Sequence, residues 1–129
     1  MKLTVNGIAA VLGGVAAYLW GPWDAPIIAL LVVVTLDYLT GVAKAVAARS
    51  LSSEIGFHGL LRKVMIFLLV GLASVLDGLI SGTNGALRTA VCLFYVANEG
   101  LSILENAAAM GLPLPDAIRE TLSQLGAKK

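Results

Sequence analysis

Three stretches of this chain are as long as a lipid bilayer is thick and mostly apolar, and that constrains the fold more than any other feature. A helix crossing roughly 30 Å of hydrocarbon at 1.5 Å per residue needs about 20 mostly apolar residues. Residues 25–48, 60–80 and 86–110 meet that length. A fourth stretch, residues 3–20, is short and is interrupted by Gly7, Gly13 and Gly14. Composition agrees: 58% of residues are hydrophobic, 13% are charged, and the mean hydropathy is +0.89. Soluble domains carry about 25% charge, so a fully buried soluble bundle lacks the polar surface to cover itself. The expected fold is an all-α integral membrane protein, one domain over residues 1–129, with about four transmembrane helices.

Turn chemistry separates the spans. Gly21-Pro22-Trp23-Asp24 and Ser81-Gly82-Thr83-Asn84-Gly85 read as tight connections. Residues 50–59 read as a longer polar loop, and Gly111-Leu112-Pro113-Leu114-Pro115 stops the fourth helix. Residues 115–125 place Ile118, Leu122 and Leu125 on one stripe, a short amphipathic helix expected at the membrane interface. Trp20 and Trp23 suit the headgroup level. Lys2 before an apolar run also fits a signal peptide, but Tyr18 and Trp20 stand where a small-residue cleavage site is needed.

Basic residues set the expected orientation. With residues 50–59 in the cytoplasm, both termini are cytoplasmic too. Lys2, Lys44, Arg49, Arg62, Lys63, Arg119, Lys128 and Lys129 then face inward, and Arg88 alone faces outward. Arg49, Arg62 and Lys63 form the expected cytoplasmic basic loop.

The same inventory excludes several functions. A net charge of +1 offers no basic face for nucleic acid. One Cys and one His cannot build a disulfide framework, a Cys-rich zinc site or a His-based triad. No phosphate loop or nucleophile elbow is present, so no enzyme and no cofactor is expected. Cys92 and the methionines Met65 and Met110 read as packing or boundary residues, and His58 as a turn or headgroup contact.

The informative residues are acids at depth. Asp37 and Glu99 fall near mid-membrane, and Asp77 and Glu105 nearer the two faces. A carboxylate at a helix centre costs about 2.5–3.5 kcal/mol on insertion scales. Helical spacing groups them: Asp37, Thr40, Gly41 and Lys44 share one face, as do Lys63, Phe67, Val70, Ser74 and Asp77. In the fourth span Arg88, Cys92, Tyr95, Glu99, Ser102 and Asn106 align, with Asn98 and Glu105 at the edge. Two readings stand for these groups. They hold helices together, with Asp37 or Glu99 paired to Lys44 or Arg88, or they line a wet interior between copies. The 14 glycines and the alanine runs favour close helix approach and a homo-oligomer.

Asp37-Tyr-Leu-Thr-Gly-Val42, Leu51-Ser-Ser-Glu-Ile-Gly56, Gly59-Leu-Leu-Arg-Lys63 and Tyr95-Val-Ala-Asn-Glu-Gly-Leu-Ser-Ile-Leu-Glu-Asn106, with the proline exit that follows, resemble the toxin-secretion/phage-lysis holin family. The resemblance covers residues 36–125. It implies a small phage or prophage protein of the bacterial cytoplasmic membrane that oligomerises into lesions, letting an endolysin or a large toxin cross without necessary direct contact. Its partners would be membrane lipid and itself. The matching positions are Asp37, Thr40, Gly41, Gly59, Arg62, Lys63, Asn98, Glu99, Ser102, Glu105 and Asn106. Some holins are timed by a second start, and here no other Met lies near Met1. Rival readings are a small ion or drug transporter using a membrane carboxylate, and a passive anchor for a partner enzyme.

Overall fold

A computed structural model describes residues 2–127 as five helices, with no strand among them. They are α1 (Lys2–Trp20), α2 (Ala25–Ala47), α3 (Ser53–Leu79), α4 (Ala86–Ala109) and α5 (Asp116–Ala127). Lys128 and Lys129 lie outside the described residues, as does the side chain of Lys2. Three helices, α2, α3 and α4, are long and apolar enough to cross a membrane. The apolar part of α1 is shorter.

Local chemistry fixes the boundaries. Gly21 at φ 69° turns the chain out of α1, and Pro26 lies in the first turn of α2. The α2 terminus closes with Arg49 in the left-handed region (φ 55°), the amides of Arg49 and Ser50 returning to the carbonyls of Val46 and Ala45. The α4 terminus repeats this closure with Gly111 at φ 89°. The largest departure from the sequence expectation is at α3. Ser52 caps it by accepting from the Ile55 amide at 3.1 Å, so the helix starts at Ser53 rather than near Leu60. His58 is therefore helical, and with Arg62 and Lys63 also inside α3 the expected basic loop retains only Arg49.

The α4 helix is the hub, packing on α2, α3 and α5, while α2 and α3 meet over a short length. The core lies where Ile27, Leu30 and Val34 of α2 meet Ile66 and Val70 of α3 and Cys92 and Val96 of α4. Helix α1 is held through its last turn only. Leu19 lies over Gly71, and the Trp20 indole donates to the Phe67 carbonyl at 2.8 Å and meets the Phe67 ring edge-on. Residues 4–15 are exposed.

Helix α5 departs from the expected interfacial placement. It folds back along α4, with Leu122 against Gly100 and Leu125 against the core cluster, while Ile118 stays exposed. A Cβ on Gly100 would stand 2.9 Å from Leu122 Cδ2. Gly100→Ala should be tolerated, since the Leu122 tip can rotate and Ala gains about 1 kcal/mol of helix propensity. Gly100→Leu should displace α5. Amide exchange should then rise across Asp116–Ala127 while α2 to α4 stay protected, and unchanged α5 protection would refute the contact.

Candidate functional site

Helical periodicity brings polar groups from three helices to one depth. Asp37 lies about 18 Å along α2, Lys63 about 15 Å along α3 and Glu99 about 20 Å along α4, taking 1.5 Å per residue. The Lys63 ammonium donates to Asp37 Oδ2 and to Glu99 Oε1, each at 2.6 Å. The three side chains are 14%, 9% and 11% exposed, respectively. Asn106, two turns further along α4, donates to Asp37 Oδ1 at 3.3 Å and to Thr40 Oγ1 at 2.9 Å. Thr40 in turn donates to the Asp37 carbonyl at 3.1 Å. Asp37 therefore has a partner on each carboxylate oxygen, as a buried charge requires.

This pairing corrects the sequence expectation. Neither Lys44 nor Arg88 reaches Asp37 or Glu99; the base is Lys63, which the sequence places on the third-span stripe and in the basic cytoplasmic set but does not pair with either acid. Lys44 is exposed, with no ion pair among the described residues. Arg88 is buried at the other end of the bundle. Its guanidinium meets the Asp24 carboxylate at 3.1 Å, the Pro22 carbonyl at 2.8 Å and the Trp20 carbonyl. One side chain thus ties the α1–α2 turn to α4. Asp24 was not singled out from sequence, since in a Gly-Pro-Trp-Asp turn it reads as a turn residue.

Asp77 does not join the triad. Its carboxylate accepts from the backbone amides of Leu87 and Arg88 at 3.1 and 2.8 Å. It caps α4 from the end of α3, which Gly85 at the N-cap cannot do. No buried side-chain polar atom lacks a partner among the described residues.

Two open cavities flank the triad. One, of about 680 Å³, lies between the second half of α2 and the first half of α3, where Asp37, Lys44, Arg62, Lys63, Ser102 and Asn106 contribute. The other, about 490 Å³, is a polar cleft between α3 and α4 bordered by Arg62, Asn98, Glu99, Ser102 and Glu105. Asn98 and Glu105 are exposed there, turned away from the triad. The fourth-span stripe thus faces inward through Arg88, Cys92, Glu99 and Asn106, and its edge residues face the cleft. Among the described residues no cluster of His, Cys, Asp or Glu could hold a metal ion.

Comparison with known proteins places the chain. The model of the bacteriophage holin family matches residues 14–127, and the chain belongs to that family of membrane lysis proteins. A 14.9 kDa protein of Clostridium perfringens is 43% identical over 118 residues, covering 92% of this chain and 89% of that protein. A Listeria innocua protein is 37% identical over 128 residues, 99% of this chain and 88% of its own length. A probable holin of Bacillus phage phi105 is 42% identical over 93 residues, 72% of this chain and 68% of the phage protein. No solved structure matches significantly.

The triad generates a stability prediction. Lys63→Met leaves two carboxylates facing each other without their cation and should cost about 3–5 kcal/mol, as removing one partner of a buried pair does. Adding Asp37→Asn and Glu99→Gln to Lys63→Met should recover most of that loss. Unfolding of the purified protein in detergent, followed by circular dichroism, measures both. Equal stability of Lys63→Met and the parent would refute the triad.

Proposed function

We propose that this chain is a holin of the bacterial host's cytoplasmic membrane, which accumulates there and opens homo-oligomeric holes. Family membership and the resemblance to a probable phage holin support that reading. Helices α2, α3 and α4 cross the bilayer and α1 makes the fourth span. Both termini face the cytoplasm, the side favoured by the basic residues. The holes let an endolysin, or in a secretion setting a large toxin, reach the wall, and no catalysis is involved.

The observation that carries the mechanism is the α3–α4 cleft. Helices apolar enough to span a bilayer present Arg62, Asn98 and Glu105 along an open groove. Polar groups at such depth persist when they meet water or one another. While copies are dilute, Asp37 and Glu99 stay on Lys63 and Asp77 stays on the α4 N-terminus. At high density, copies associate through the cleft. Opening of the triad then turns the polar arcs of α2 and α4 toward a wet interior. A transporter would need Asp37 or Glu99 free to bind solute, and Lys63 occupies both.

Induced expression in bacteria, with and without a cytoplasmic endolysin, tests the reading. Membrane potential should collapse abruptly after a lag, with a cytosolic reporter enzyme released and lysis only when endolysin is present. Growth without protein release, despite confirmed insertion, would favour a transporter or an anchor. Asp37→Asn and Glu99→Gln weaken the triad and should each bring lysis earlier. Unchanged timing and oligomer size in both would defeat the polar-arc mechanism alone.

A further inference from the structure

The 680 Å³ cavity is not explained by the triad beside it. It lies where α2 and α3 diverge, and its size falls within the 300–1,000 Å³ typical of ligand sites. Its described lining carries the cations Lys44, Arg62 and Lys63 against Asp37 alone. Asp37 and Lys63 are bound to each other, whereas Lys44 and Arg62 are exposed and make no ion pair among the described residues. The cavity therefore presents two uncommitted positive charges. A second hollow of about 290 Å³ adjoins it and is nearly all apolar, bordered by Val34, Leu39, Leu60, Val64 and Phe67 on the α2–α3 groove. Tyr38 and Lys63 border both spaces. The Tyr38 hydroxyl donates to the Gly56 carbonyl at 3.4 Å, bridging α2 and α3 where the two spaces meet.

Depth selects the occupant. Helix α3 has 27 residues, about 40 Å, so its first turns extend beyond the roughly 30 Å of hydrocarbon. Its apolar stretch, residues 64–76, follows Arg62-Lys63, which puts Arg62, and the triad lysine beside it, toward the edge of the bilayer core. Lys44 lies in the last turn of α2. A positive cavity at headgroup level, opening onto an apolar groove that runs toward the hydrocarbon, fits one ligand shape: a negative head on an acyl chain.

We propose that this cavity is a site for an anionic phospholipid, its phosphodiester held by Lys44 and Arg62 and one acyl chain lying in the α2–α3 groove. The lipid would fill the divergence between α2 and α3 and hold the cytoplasmic ends of the two helices at a fixed spacing. The proposal shares with the holin reading the placement of α2 to α4 in a membrane and the side chain of Arg62, which borders both the cavity and the α3–α4 cleft. Its test is a binding measurement, which stands or falls whether or not the chain makes holes.

The full chain is purified in neutral detergent and titrated with dioleoylphosphatidylglycerol, dioleoylphosphatidylcholine or inorganic phosphate. Native mass spectrometry counts bound lipid and thermal unfolding reports stabilisation. Phosphatidylglycerol should bind in a defined number per chain and raise the unfolding temperature. Lys44→Gln with Arg62→Gln should weaken it by about five-fold for each cation removed. Gly59→Leu supplies a second arm if the double variant fails to fold. Gly59 borders the cavity, and the α3–α4 cleft beside it, and an added Cβ there meets no atom within 4 Å, so a larger side chain starts from open space at the cavity wall. Undiminished phosphatidylglycerol affinity in these variants would overturn the proposal. So would equal binding of phosphatidylcholine, which would show that the charge is not read. Equal stabilisation by inorganic phosphate would overturn it too, because the groove would then contribute nothing.

Discussion

One ammonium group holds three helices together at a shared depth. Buried among apolar helices, a carboxylate on α2 and another on α4 each need a cation, and Lys63 serves both at 2.6 Å. Lysine suits this geometry because its tetrahedral ammonium can direct separate protons at acceptors on two helices, whereas a planar guanidinium favours a side-by-side fork on one carboxylate. The alternative arrangements are costly: any relative shift of α2 or α4 against α3 strands a charge. The triad therefore sets the register of the bundle, and the apolar contacts of Leu30, Val70 and Cys92 one to two turns away fill in around it.

The opposite end of the bundle solves a related problem with different chemistry. There the demand comes from backbone: the carbonyls of Trp20 and Pro22 at the α1–α2 turn, and the free amides at the start of α4. Arg88 supplies the donors for the first and Asp77 the acceptor for the second. Arginine is the suitable residue here, since a planar fork reaches two carbonyls and the Asp24 carboxylate at once. The two ends differ in how easily they can be opened. Separating copies of a lysine from two acids exposes three charges to whatever replaces them, and a wet interior is the one environment that receives all three. Arg88 and Asp77 hold turn and helix-end backbone, so opening them would unravel the fold instead of rearranging it. The proposed change from closed protomer to lesion is thus better placed at the triad than at the far end.

Much of this architecture is legible in the sequence, for definite reasons. Apolar length and the Gly-Pro and Gly-Asn turns mark α2, α4 and the two tight connections, because both signals depend on residues adjacent in the chain. The start of α3 is not legible in the same way. Ser53 through Gly59 includes Glu54, Gly56, His58 and Gly59, which together read as loop, yet the Ser52 cap and the helix behind it outweigh those residues. The base of the triad is hidden for a different reason: Lys63 reads both as part of a third-span stripe with Phe67, Val70, Ser74 and Asp77 and as part of a basic flank, and neither reading aims it at Asp37 or Glu99. The acids themselves were recognisable from depth alone, but their partners lie 26 and 36 residues away and depend on interhelical register. No local pattern encodes that.

Helix α5 shows the same limit from another side. Its stripe of Ile118, Leu122 and Leu125 announces an apolar face without saying whether lipid or protein receives it. The receiving feature is Gly100, whose missing side chain makes the space that Leu122 fills. With α5 in place, one flank of α4 is covered by protein, another faces the core and the edge carrying Asn98 and Glu105 remains open. The open edge in the second half of the hub helix is thus a polar one. In the proposed mechanism, association between copies through that edge would satisfy groups that lipid cannot, without any rearrangement of the fold. The proposed rearrangement falls at the triad, where α4 meets α2 and α3.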